Sequence, residues 1–140
     1  MSEQELIKQY FSKHQCATET VDLSVGDDAA IVIPPEGSKL VITTDTLNAD
    51  VHFFKDCKPE YVGHKSIAVS LSDIAAMGAT PLWATISLSL PNVEHSWLKS
   101  FSDGLYALAE SHNVRIIGGC LLYTSPSPRD ATLSRMPSSA

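Results

Sequence analysis

The sequence predicts an α/β domain in which a mixed β-sheet is flanked by two long helices. Three observations predict it. Residues 84–90 alternate apolar and hydroxyl side chains, Ala84, Ile86, Leu88 and Leu90 against Thr85, Ser87 and Ser89. Residues 59–78 and 92–111 keep an apolar period near 3.6. The apolar runs 29–33, 40–44 and 114–117 are rich in β-branched residues and end in Pro, Asp or Gly, as strands do.

The chain opens with Ser2-Glu3-Gln4-Glu5, the pattern of a capping box, and Leu6, Ile7, Tyr10 and Phe11 continue it as a short amphipathic helix. Residues 12–20 are polar and read as a loop. Asp27-Asp28 introduces a strand at 29–33, Pro34-Pro35-Glu36-Gly37 makes a turn, and a second strand at 40–44 completes an expected hairpin. Residues 48–59 have no period and read as a loop holding His52.

In the helix that follows, Ile67, Ala68, Leu71, Ile74 and Ala75 form the apolar face. Ser66, Ser70 and Asp73 fall opposite, without the Lys or Glu of a solvated face, so that side is expected to line a cleft. Gly78 and Pro81 end this helix. Asn92 is the expected N-cap of the next, whose Trp97, Phe101 and Tyr106 are expected in the core, and Asn113 closes it in the left-handed conformation. Residues 114–117 form a strand ending at Gly118-Gly119, and the Ser- and Pro-rich run 124–140 is expected to be disordered.

The totals exclude several classes. With 140 residues there is enough chain for one buried core. A net charge of −6 disfavours binding a nucleic acid backbone, and no apolar run is long enough to span a membrane. Cys16, Cys57 and Cys120 are odd in number and lack zinc-ligand spacing, which suits a reducing cytoplasm. The N-terminus lacks the pattern of a secretory signal.

The chemistry centres on residues 40–46, where an apolar run ends in Thr43, Thr44 and Asp45. With Asp27-Asp28 and Asp73, three segments offer carboxylate and hydroxyl oxygens. Such a set suits a hard cation such as Mg²⁺ that also holds phosphates. Taken singly, Asp27-Asp28 is equally the composition of a turn, and Thr43-Thr44-Asp45 that of a strand end with a cap. The chain has no P-loop pattern, so ions rather than a backbone cradle would hold the phosphates.

Asp27-Asp28, residues 43–47, His52-Phe53, residues 63–65, residues 70–81 and residues 116–119 together form a series. In it, the chain closely resembles the N-terminal domain of the thiamine-monophosphate kinases, within the aminoimidazole-ribonucleotide-synthetase-like superfamily. The resemblance implies ATP- and Mg²⁺-dependent phosphorylation of thiamine monophosphate to thiamine diphosphate, by a homodimer whose N-terminal sheets pack together. It assigns metal binding to Asp28, Thr43, Thr44, Asp45 and Asp73, with Asp27 in support. His52 becomes the substrate contact, and Gly118 and Gly119 the nucleotide contact.

The family's next residue is a metal-binding Asp, where this chain has Cys120. Residues 1–119 are therefore expected to be the N-terminal kinase domain, 120–140 a foreign tail, and the family's C-terminal domain absent. The alternatives are another ATP-dependent synthetase of the superfamily, or a non-catalytic fragment that binds cations and dimerises.

Overall fold

The structure, a computed structural model, describes residues 2–123. Helix α1 (Glu3–Tyr10) begins in the expected capping box: the Glu5 N–H donates to Ser2 Oγ at 3.2 Å, and the Ser2 N–H to Glu5 Oε2 at 2.7 Å. Strand β1 (Val21–Leu23) pairs antiparallel with β2 (Ile31–Val32). Helix α2 (Pro59–Ala76) starts with Pro at its first position, where no amide hydrogen is needed, and ends at Gly78 with φ +68. Strand β3 (Trp83–Leu90), helix α3 (His95–Ser111) and strand β4 (Arg115–Tyr123) form a βαβ unit whose strands are parallel.

The α/β class is as expected, and the described strands make two separate two-stranded ladders, one antiparallel and one parallel. The core lies where α1 and α3 pack against β4, with α2 packed on α3 and β3 beside β4. Leu6, Leu98, Phe101, Leu105, Ala109, Val114 and Ile116 are its most buried members. Trp97 stacks on Phe101 at 5.0 Å, and Tyr106 is buried, so this aromatic series is core as expected.

Several expectations are corrected. The hairpin of 29–33 with 40–44 does not form: β2 pairs with β1, a strand in a stretch to which the sequence assigned no element, and 40–44 belongs to no ladder. Leu40 is 50% exposed and Ile42 85% exposed. An apolar, β-branched run has strand propensity, but it is buried only where a second layer covers it, and the described residues supply none. Helix α3 is capped at Glu94, whose backbone is extended, rather than at Asn92. Asn113 does close it, with φ 56. Strand β4 does not stop at Gly118-Gly119 but runs to Tyr123. The expected disorder of 124–140 lies outside the described residues.

Two glycines set the distance between α2 and α3. A Cβ on Gly63 would sit 2.1 Å from the Phe101 carbonyl oxygen, and one on Gly104 2.1 Å from that of Glu60. The helices thus touch backbone to backbone. That contact fixes where α2 presents its small polar face.

Candidate functional site

Segment 43–45 leaves the apolar run and lies along the Ser70 and Asp73 side of α2, the face expected to line a cleft. Thr43 Oγ1 donates to Asp73 Oδ2 at 3.5 Å. The Asp45 carboxyl lies near enough to the Asp73 carboxyl and the Ser70 hydroxyl for both to act on its charge. Partial desolvation, reinforced by the facing Asp73 charge, raises its pKa above the ordinary carboxylate value, while Ser70 opposes the shift. Among the described residues neither carboxylate belongs to an ion pair.

Two like charges brought together without a cation are costly. The donors around them are all carboxylate or hydroxyl oxygens, the set that a hard divalent cation takes. Asp45, Asp73 and Thr43 therefore fit Mg²⁺. Thr44 lies exposed between two of them in the chain. Ser70, which stood out in the sequence only as part of a small helix face, is the added member.

The third carboxylate site is placed differently. Asp27 and Asp28 are exposed in the turn after β1, where the Asp28 N–H donates to Asp27 Oδ1 at 2.8 Å. Among the described residues no three His, Cys, Asp or Glu side chains are gathered into one metal-holding group. The structure thus joins Asp45 with Asp73 and leaves Asp28 out of that pair. The turn's own hydrogen bond takes up the supporting carboxylate of Asp27.

His52 is exposed in a tight turn, its Nδ1 accepting the Asn48 N–H at 2.9 Å. Lys65, from α2, donates to the His52 carbonyl oxygen. Gly118 and Gly119 lie within β4 opposite Thr85 and Ile86, after a bulge that leaves Ile117 as the extra residue. Gly119 has φ +144, and a Cβ there would be 1.7 Å from the Ile86 carbonyl oxygen. Backbone pairing alone therefore demands glycine at 119, whereas Gly118 has open space around it. Cys120 is exposed, with Sγ 4.0 Å from Ser87 Oγ.

A cleft of about 390 Å³ between α1 and α3 is lined by Tyr10, Lys13, Lys99 and Tyr106 and contains none of the expected site residues. No described helix is long and apolar enough to cross a membrane.

The family described as AIR synthase related protein, N-terminal domain, matches residues 26–134. The thiamine-monophosphate kinase of Haemophilus influenzae is 44% identical over 119 residues, which cover 85% of this chain and 36% of that protein. The thiamine-monophosphate kinase of Escherichia coli K12 is 46% identical over 114 residues, covering 81% of this chain and 35% of the relative. This chain thus spans about a third of the length of the curated relatives it matches.

Among solved structures, the thiamine-monophosphate kinase of Stenotrophomonas maltophilia K279a superposes with a TM-score of 0.72 at 40% identity, over 86% of this chain and 37% of that one. A structure described as AaThiL complexed with AMPPCP and TMP superposes with a TM-score of 0.57 at 40% identity, over 59% of this chain and 27% of that one.

Proposed function

Since the chain belongs to the AIR synthase related protein family through its N-terminal domain, we propose that it is the cation- and phosphate-holding part of a thiamine-monophosphate kinase. The reaction is transfer of the ATP γ-phosphoryl group to thiamine monophosphate, giving thiamine diphosphate. The Thr43 hydrogen bond to Asp73, with the Asp45 carboxyl close enough to feel the Asp73 charge, carries this reading. The names of the relatives, and the AMPPCP and TMP in one solved neighbour, support the substrates.

Phosphoryl transfer between two anions depends on positioning and charge neutralisation. A phosphate monoester has a second pKa of about 6, so the acceptor oxygen is already ionised near neutrality and needs no strong base. The scarcity of nucleophile and base pairs in the chain agrees with that. Asp45 and Asp73 would hold Mg²⁺ with the Thr43 hydroxyl beside them and Thr44 as a further oxygen donor; Asp28, with Asp27 in support, stands apart from that pair and would have to approach it to share the ion. Bound there, Mg²⁺ would neutralise phosphate oxygens. His52 contacts the acceptor, and the Gly118-Gly119 stretch lets the nucleotide approach the backbone.

In this reading residues 1–119 are the kinase domain and 120–140 a tail foreign to it, although residues 120–123 continue β4, Leu121 enters the core and the family match runs to residue 134. The exposed apolar side chains of Ile31, Ile33, Leu40, Val41 and Ile42 support homodimerisation. Three free cysteines agree with the cytoplasm.

A second reading, a non-catalytic cation-binding fragment, is favoured by Cys120 at the position of an expected metal-binding Asp and by the separation of Asp28 from the carboxylate pair. Calorimetry with Mg-ATP, followed by an assay for thiamine diphosphate, separates the two. Product that requires ATP, Mg²⁺ and thiamine monophosphate supports the kinase. Binding without turnover supports the fragment, and absence of Mg²⁺ binding contradicts both.

A further inference from the structure

The turn that carries His52 is held by more bonds than an exposed loop needs. Asp50 sits in the left-handed region with φ 62, unusual outside glycine. Its N–H donates to the Phe53 carbonyl oxygen at 2.6 Å, and its Oδ1 accepts the Lys55 N–H at 2.8 Å. The Val51 and His52 N–H groups both donate to the Asn48 carbonyl oxygen, at 3.2 and 2.9 Å. The Asn48 N–H in turn donates to His52 Nδ1, and Lys65 ties the His52 carbonyl to α2, the helix that carries Ser70 and Asp73.

These bonds have a chemical consequence. A nitrogen that accepts the Asn48 N–H carries no proton, so in the neutral ring the proton is on Nε2. In that tautomer the ring presents Nε2–H as a hydrogen-bond donor. We propose that this turn, set by Asp50 and anchored by Lys65, is a positioning element that locks His52 as the Nε2–H tautomer and aims that N–H at an anionic phosphate oxygen of the acceptor.

The proposal rests on the reading of His52 as an acceptor contact. Asp50 and Lys65 act through His52 and are positioning residues. Asp50 does so because its short polar side chain tolerates the left-handed conformation and bonds the turn's own backbone. Asn in its place keeps both properties, whereas Ala keeps neither.

The test is imidazole ¹⁵N NMR on the 140-residue chain, with thiamine monophosphate titrated in. In the parent protein, His52 Nδ1 is expected at the shift of an unprotonated nitrogen and Nε2 at that of a protonated one. In Asp50→Ala and Lys65→Met both are expected to move toward the averaged values of a free histidine, and in Asp50→Asn to return. Affinity for thiamine monophosphate should fall about three- to tenfold in Asp50→Ala, the worth of one hydrogen bond, and recover in Asp50→Asn.

The tautomer readout also separates anchoring by Lys65 from direct pairing of its ammonium with phosphate, which would leave the nitrogen shifts unchanged in Lys65→Met and overturn its anchoring role. Mixed tautomers in the parent protein with intact binding overturn the positioning claim alone. A fixed tautomer without thiamine monophosphate binding overturns the acceptor assignment and with it the purpose given to the turn.

Discussion

Replacing Gly104 by Ala tests the backbone contact that places α2. In an unobstructed helix interior this change stabilises by about 1 kcal/mol, because Ala is the better helix former. Here the new Cβ would lie 2.1 Å from the Glu60 carbonyl oxygen, and contacts become ordinary only from 3.4 Å, so the two backbones must part by roughly 1 Å. Overpacking of this kind costs about 1–3 kcal/mol, and a rigid backbone neighbour puts this case at the upper end. The net expectation is a loss of about 2 kcal/mol, with Tm falling by roughly 6–10 °C.

Urea unfolding followed by circular dichroism should show a lower midpoint with an unchanged slope. Gly63→Ala should behave alike, since its Cβ meets the Phe101 carbonyl oxygen at the same distance. The double variant should lose less than the two singles together, because the helices need to part once. A stabilised Gly104→Ala protein, or strictly additive losses, would refute the backbone contact between α2 and α3.

Stability should also depend on pH through His14. Its Nδ1 accepts the buried Ile116 N–H at 3.0 Å and its Nε2 faces Glu110 at 3.4 Å, with Lys13, Arg115 and Tyr106 around it. Burial lowers the imidazole pKa, against the opposing pull of Glu110, so the unfolded chain takes the proton more readily. The contribution is complete above the ordinary histidine value of about 6.5 and is lost as pH falls through it toward the lower folded value. His14→Asn, which offers an acceptor but does not titrate, should flatten the urea midpoint between pH 7 and 5; an unchanged slope would assign the dependence elsewhere. At the glycine stretch, Gly118→Ala should leave stability within about 0.5 kcal/mol and weaken Mg-ATP binding, whereas Gly119→Ala should destabilise by 2 kcal/mol or more. Equal effects of the two on unfolding would contradict the bulge geometry.

Long periodic elements were legible because periodicity is local information. The alternation at 84–90 and the apolar stripe of 59–78 needed no knowledge of the rest of the chain. Strand β1 was not legible, because Val21–Leu23 is three residues long and becomes a strand through its partner β2. Leu40, Val41 and Ile42 misled for the converse reason: their propensity is intrinsic, but burial needs a covering layer. Helix α3 shifted its cap by two residues, within what capping signals resolve.

At the site, Thr43, Asp45 and Asp73 were legible from a strand end rich in oxygen donors and a helix face without surface charge. Asp28 was readable as a donor but not as a neighbour, since the course of the chain after β1 depends on tertiary packing. Asp50 gave no signal, because a left-handed φ leaves no trace in composition; Lys65 stood in the series at 63–65, but its bond to the His52 carbonyl was not readable from it. Gly63 and Gly104 did leave one, as lone glycines inside strong helical patterns.

In the proposed function Asp45 and Asp73 lie close together so that a divalent cation can bind between them. Substoichiometric Mn²⁺, a paramagnetic substitute for Mg²⁺, tests it directly in amide NMR spectra of the chain. Thr43, Asp45, Ser70 and Asp73 should broaden first, excess Mg²⁺ should restore them, and Asp45→Asn or Asp73→Asn should abolish the effect. Broadening confined to Asp27-Asp28, or spread evenly over the acidic surface, would contradict it.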